Sequence, residues 1–162
     1  MHVELVGSSD SPFTPGDAIY GVTNAQFTGG NAELAIAKEG MIALKPRGLD
    51  YIAAASIPVI AVTARQMLFD HAGLSKGKRV LVHGAAGNVG AYAVSMAHAA
   101  GMYVLATARP SEAAMAYASG ADTNRLTVRI REVLPLKAAR HAHEMLDGLR
   151  PKAPGKIVLS VS

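Results

Sequence analysis

The sequence predicts an α/β fold whose centre opens a doubly wound parallel sheet. Three observations carry that expectation. A short apolar run, Val80-Leu81-Val82, leads directly into the glycine-bearing segment Gly84-Ala85-Ala86-Gly87-Asn88-Val89-Gly90. A helix-like stretch, Ala91–Ala100, follows and stops at Gly101. A second β-rich run, Tyr103–Thr107, then arrives on schedule. Strand, glycine turn, helix and strand in this order form the opening of a nucleotide-binding sheet.

The composition narrows the function classes. A chain of 162 residues makes one domain or parts of two, and 50% hydrophobic against 17% charged residues excludes an intrinsically disordered chain. The absence of cysteine excludes a disulfide scaffold, a Cys-based zinc site and thiol catalysis. The net charge of +4 is spread along the chain, which suits an anionic small ligand better than nucleic acid. Aromatic residues make up 5% with no tryptophan, too few for base-stacking platforms. The opening Met1-His2-Val3-Glu4-Leu5-Val6 has neither a basic leader nor a long apolar run. The longest apolar stretches, Ile52–Ala64 and Val89–Gly101, are interrupted by Pro58, Ser95 and His98 and are too short to span a bilayer. No membrane partner is therefore expected, and a cytoplasmic location is.

Taken in order, the N-terminal third reads as short strands and turns. His2–Val6 is an expected strand, Thr14-Pro15-Gly16-Asp17 a tight turn, and Ala18–Val22 is β-rich. Ala32–Ala37 reads as a further strand, and Lys45-Pro46-Arg47-Gly48 closes the section. Asp50 is placed to cap a helix over Tyr51–Ser56. Pro58 suits the first turn of a second helix running to about His71, with Gly73 as its stop. Beyond the central unit, Ser111-Glu112 opens a helix ending at Gly120, and Arg125–Arg131 alternates like a strand. Leu136–Leu146 reads as a helix ended near Gly148, Pro151–Gly155 as a linker and Ile157–Val161 as a last strand.

Ala85-Ala86-Gly87-Asn88-Val89-Gly90 fits the dinucleotide fingerprint G-x-G-x-x-G with alanine in the first position. Gly87 lets the backbone approach a pyrophosphate, Gly90 lets helix and strand pack closely, and the helix start offers free amides and a positive dipole end. The second strand selects the cofactor. NAD sites place Asp or Glu at its end to accept from the ribose hydroxyls, whereas here it ends Leu105-Ala106-Thr107-Ala108-Arg109. Arg109, as a planar cation, suits the 2′-phosphate of NADP(H). Other candidates carry less. His141 and His143, two apart on an expected helix, point to different faces and do not make a metal pair. His83 sits at the strand end beside the glycine loop, and no Ser-His-Asp set or carboxylate pair has meaningful spacing. The sequence names no catalytic residue.

The chain resembles the zinc-independent medium-chain dehydrogenases/reductases of the NADPH:quinone oxidoreductase type. The matching stretches are Pro15–Gly21, Gly30–Leu34, Val62-Thr63-Ala64, Val80–Gly90, Val133-Leu134-Pro135-Leu136, Ala142-His143 and Gly155–Leu159, in the family's order. The resemblance implies part of a GroES-like β-rich catalytic domain over residues 1–60 and a partial Rossmann unit over 61–124. Residues 125–162 would then return to the catalytic domain. Against the family pattern, the chain starts partway through the first domain and passes from Asp122-Thr123-Asn124 to Arg125-Leu126-Thr127 without the later sheet strands. The resemblance also implies that Thr63 approaches the nicotinamide. The cofactor set is thus Thr63, Ala85, Ala86, Gly87, Asn88, Val89, Gly90, Thr107 and Arg109, with no metal. The implied activity is metal-free hydride transfer from NADPH to a small electron acceptor, a quinone or another conjugated carbonyl. The alternative is a non-catalytic NADP(H)-binding remnant or interaction module. A homodimer is expected, because the central strand lacks the neighbour that the family's sheet order gives it.

Overall fold

Pairing decides which β-rich stretches become strands. In the computed structural model, which describes residues 1–112, 114, 130–151 and 156–160, Ile19–Gly21 (β1) and Ile42–Leu44 (β2) pair antiparallel, with Ile19 opposite Leu44. The expected strand His2–Val6 contracts to one antiparallel bridge, His2 to Ala18. Val3 donates to the Asp17 carbonyl and accepts from Gly16, so the chain closes around the Thr14–Asp17 turn instead of extending a ladder. The expected strand Ala32–Ala37 does not form, and its Leu34 and Ile36 stand in solvent. Alternation alone makes no strand. The backbone must find a partner for its amides and carbonyls, and among the described residues this segment has no strand beside it.

The helices follow their caps. The Asp50 carboxylate accepts from the Ala53 amide at 2.7 Å and opens α1 (Tyr51–Ser56). Pro58 opens α2 (Pro58–Arg65), which widens into a π turn over Gln66–His71 before Gly73. The Arg65 guanidinium bridges that change of pitch by donating to both Asp70 carboxylate oxygens.

The chain divides into two compact units. One comprises Met1–Pro58, Ile130–Ala153 and Ile157–Ser162, the other Val59–Arg129 and Pro154–Lys156. In the first, α1 packs against β1 and against Ile130–Pro135 (β5), and β5 pairs with Lys156–Ser160 (β6). A single 3₁₀ turn, Leu136–Ala138, leads into α4 (Ala139–Leu146). Its buried residues include Ile19, Ala54, Ala142, Met145 and Val158.

The second unit holds the central pattern. Arg79–His83 (β3) and Tyr103–Thr107 (β4) run parallel, in register from Arg79 opposite Tyr103 to His83 opposite Thr107. Between them Asn88–Ala99 (α3) packs on both strands. Small side chains on α3 allow that approach: Ala91, Ala93 and Ala97 are buried with Tyr92 and Val94. Period-two alternation sends Val82 inward, while Leu81, Tyr103 and Leu105 are 65%, 69% and 54% exposed. Among the described residues no strand pairs with the outer edge of β3.

The expected helix from Ser111 to Gly120 enters the described residues as the 3₁₀ turn Pro110–Glu112. Residues 125–129 of the expected strand Arg125–Arg131 and most of the expected linker lie outside the described residues. Among the described residues no helix is long and apolar enough to cross a membrane.

Candidate functional site

The glycine loop sits where β3 ends and α3 begins, and each glycine answers a different demand. Gly84 turns the chain at φ 73°, the left-handed region that favours glycine. Its carbonyl accepts from the Gly87 amide at 2.9 Å, closing the turn. The tight-turn role therefore falls to Gly84, one residue before the fingerprint's first position, and leaves Ala85 free to be an alanine. Ala85 is fully buried and Ala86 nearly so.

Gly87 caps α3 with extended backbone, φ −72° and ψ 167°, and brings no side-chain acceptor to the first helical amides. The amide groups of Asn88, Val89 and Gly90 thus open the helix at its positive end, the arrangement that receives an anion. At Gly90 there is no space for a side chain. A Cβ would meet the Gly84 carbonyl oxygen well inside contact distance and lie 2.9 Å from Ala85 Cα. The helix start packs backbone against backbone on the loop.

The end of β4 is stitched to this loop. The Ala85 amide donates to the Thr107 carbonyl at 2.9 Å, and the Gly84 amide donates to Thr107 Oγ1 at 3.4 Å. Thr107 Oγ1 also lies 2.7 Å from His83 Nδ1, in a hydrogen bond across the strand pair. Of the residues expected at the site, the structure thus joins Thr107 directly to the glycine loop and places Arg109 two residues beyond it.

Arg109 has a partner that the sequence reading missed. Its Nε donates to Glu112 Oε2 at 3.1 Å and its Nη2 to Oε1 at 2.5 Å. The hydrogen bond and charge of Arg109 hold the Glu112 carboxyl below its ordinary pKa, and the same bond raises that of the guanidinium. The available signal was the i, i+3 spacing of opposite charges on either side of Pro110. Thr63 stands apart from this network. On α2 its hydroxyl donates to the Val59 carbonyl at 2.8 Å, a bond within its own helix.

Beside the loop an open groove of about 550 Å³ runs along the outer edge of β3. Met67 and Leu68 of the π turn, Val80, His83, Gly87 and Val89 are among its lining residues. Among the described residues no three potential metal ligands cluster. His143 meets Asn31, with Nε2 at 3.5 Å from Nδ2.

Comparisons with known proteins give this geometry its relatives. No family model matches the chain. The human protein named quinone oxidoreductase is 37% identical over 110 residues, covering 68% of this chain and 33% of its own length. An alcohol dehydrogenase superfamily protein from Novosphingobium aromaticivorans superposes with a TM-score of 0.68 at 34% identity, over 72% of this chain and 36% of that one. The quinone oxidoreductase of Thermus thermophilus, whose structures include a complex with NADPH, is 40% identical with a TM-score of 0.51. The match covers 58% of this chain and 31% of that one. The chain spans about a third of the length of the quinone oxidoreductases it matches.

Proposed function

Because the chain belongs to the medium-chain dehydrogenase/reductase superfamily, in its quinone oxidoreductase branch, we propose that it binds NADPH at the glycine loop and serves hydride transfer to a quinone or another conjugated carbonyl. The observation that carries this reading is the junction of β3, α3 and β4. A left-handed turn at Gly84, a helix residue Gly90 with no room for a Cβ, an uncapped helix start and a strand end tied across the loop meet at one point.

Each residue has a task in this reading. Gly84 makes the turn, while Gly87 and Gly90 keep the backbone accessible and close-packed. The amides at Asn88, Val89 and Gly90 donate to the pyrophosphate. Ala85 and Ala86 fill the space under the loop, Thr107 fixes the strand end, and Arg109 donates to the 2′-phosphate as a planar fork. Thr63 would approach the nicotinamide, its hydroxyl oxygen keeping acceptor capacity beyond the bond it donates to Val59. When bound, NADPH supplies a hydride, which the acceptor takes up together with a proton. The protein orients the two reactants, and this requires no metal. The chain has no cysteine to serve as a zinc ligand.

A second reading, an NADP(H)-binding module without turnover, is favoured by the uncovered β3–β4 face bearing Leu81, Tyr103 and Leu105. Oxidation of NADPH with a simple quinone, measured beside a direct NADPH titration, separates the two. Turnover supports the enzyme, and binding without turnover supports the module.

A further inference from the structure

Glu112 offers Arg109 what a 2′-phosphate would offer it. The carboxylate takes two N–H donors of one guanidinium edge, Nε and Nη2, in a fork-to-fork geometry. The backbone reinforces the pair, because the Glu112 amide donates to the Arg109 carbonyl at 2.8 Å across the 3₁₀ turn Pro110–Glu112. The two partners are not equally fixed. The Glu112 side chain is 18% exposed and that of Arg109 78% exposed, so the guanidinium is the partner that an incoming anion reaches first. Two residues earlier, Thr107 is tied to Gly84 and Ala85, which sets this pair at the strand end beside the loop.

We propose that Glu112 is a specificity-determining residue that restrains selectivity for NADPH over NADH, by occupying the guanidinium edge that a 2′-phosphate would take. The proposal rests on the reading of the glycine loop as a dinucleotide site. A phosphate arriving at Arg109 meets a pair of zero net charge. It must displace the carboxylate or share the guanidinium beside a like charge. A dinucleotide with a free 2′-hydroxyl meets neither obstacle. A glutamate is ionised at neutral pH, and the bond to Arg109 lowers the Glu112 pKa further, so the carboxylate is charged where the cofactor binds. Because the pair is exposed, its release is worth a modest factor.

The test is calorimetric titration of wild type, Glu112→Gln, Arg109→Gln and the double variant with NADPH and with NADH, at one ionic strength. Glu112→Gln is expected to tighten NADPH binding by about two- to fivefold and to leave NADH unchanged. In the Arg109→Gln background the same substitution is expected to do nothing, since there is no fork to release. Unchanged or weaker NADPH binding in Glu112→Gln overturns the proposal, as does an equal gain in the Arg109→Gln background, which would mark a general charge effect. Wild type that binds neither dinucleotide overturns the underlying site as well, a result distinct from either of these.

Discussion

At Gly90 the fold excludes even a methyl group, whereas at Gly87 a Cβ meets a single backbone oxygen. A Cβ on Gly87 would lie 3.2 Å from the Gly84 carbonyl oxygen, tight but on extended backbone that any residue adopts. The two glycines should therefore fail differently. Gly90→Ala is expected to lower stability by about 1–3 kcal/mol, read as a shift in the urea midpoint, because α3 must move off the loop. Gly87→Val is expected to keep its stability within about 1 kcal/mol of wild type and to lose about tenfold or more in dinucleotide affinity. A Gly87→Val protein that binds as wild type would reduce the loop to a turn. The fingerprint made Gly87 and Gly90 legible from the sequence. Gly84 and Glu112 were not: the turn began one residue early, and the acid lay in a 3₁₀ turn past the strand end.

The element with the least support of its own is α1. A six-residue helix does not form by propensity, so its cap and packing must hold it. Asp50→Ala removes the bond to the Ala53 amide and is expected to cost about 0.5–2 kcal/mol. Hydrogen exchange should quicken first at Ala53 and Ala54, and an unchanged exchange rate there would show that packing alone carries the helix. Elements whose determinants are local were legible in the sequence. β3, α3 and β4 fall within a few residues of expectation, because apolar runs and the glycines that bound them specify them in place. His2–Val6 and Ala32–Ala37 failed because a strand depends on a partner that its own residues do not encode. Nor did the sequence show that α2 would widen at Gln66.

For the whole molecule, the outstanding feature is what β3 and β4 leave uncovered. Parallel sheets are ordinarily covered on both faces and paired on inner strands. Here, among the described residues, β3 has an unpaired edge, and Leu81, Tyr103 and Leu105 face solvent. Such a surface associates unless something shields it, so a homodimer or larger assembly is expected. Light scattering across a concentration range checks this, and a monomer at every concentration would mean that the edge and face are shielded within one chain. The same unit carries the proposed NADP(H) site at the β3–α3–β4 junction, with Arg109 proposed to meet the 2′-phosphate. Its most direct test is titration of wild type and Arg109→Glu with NADPH and NADH in parallel. Reversing this charge should weaken NADPH binding by about tenfold or more while NADH changes little. Equal losses for both dinucleotides, or a folded wild type that binds neither, would contradict it.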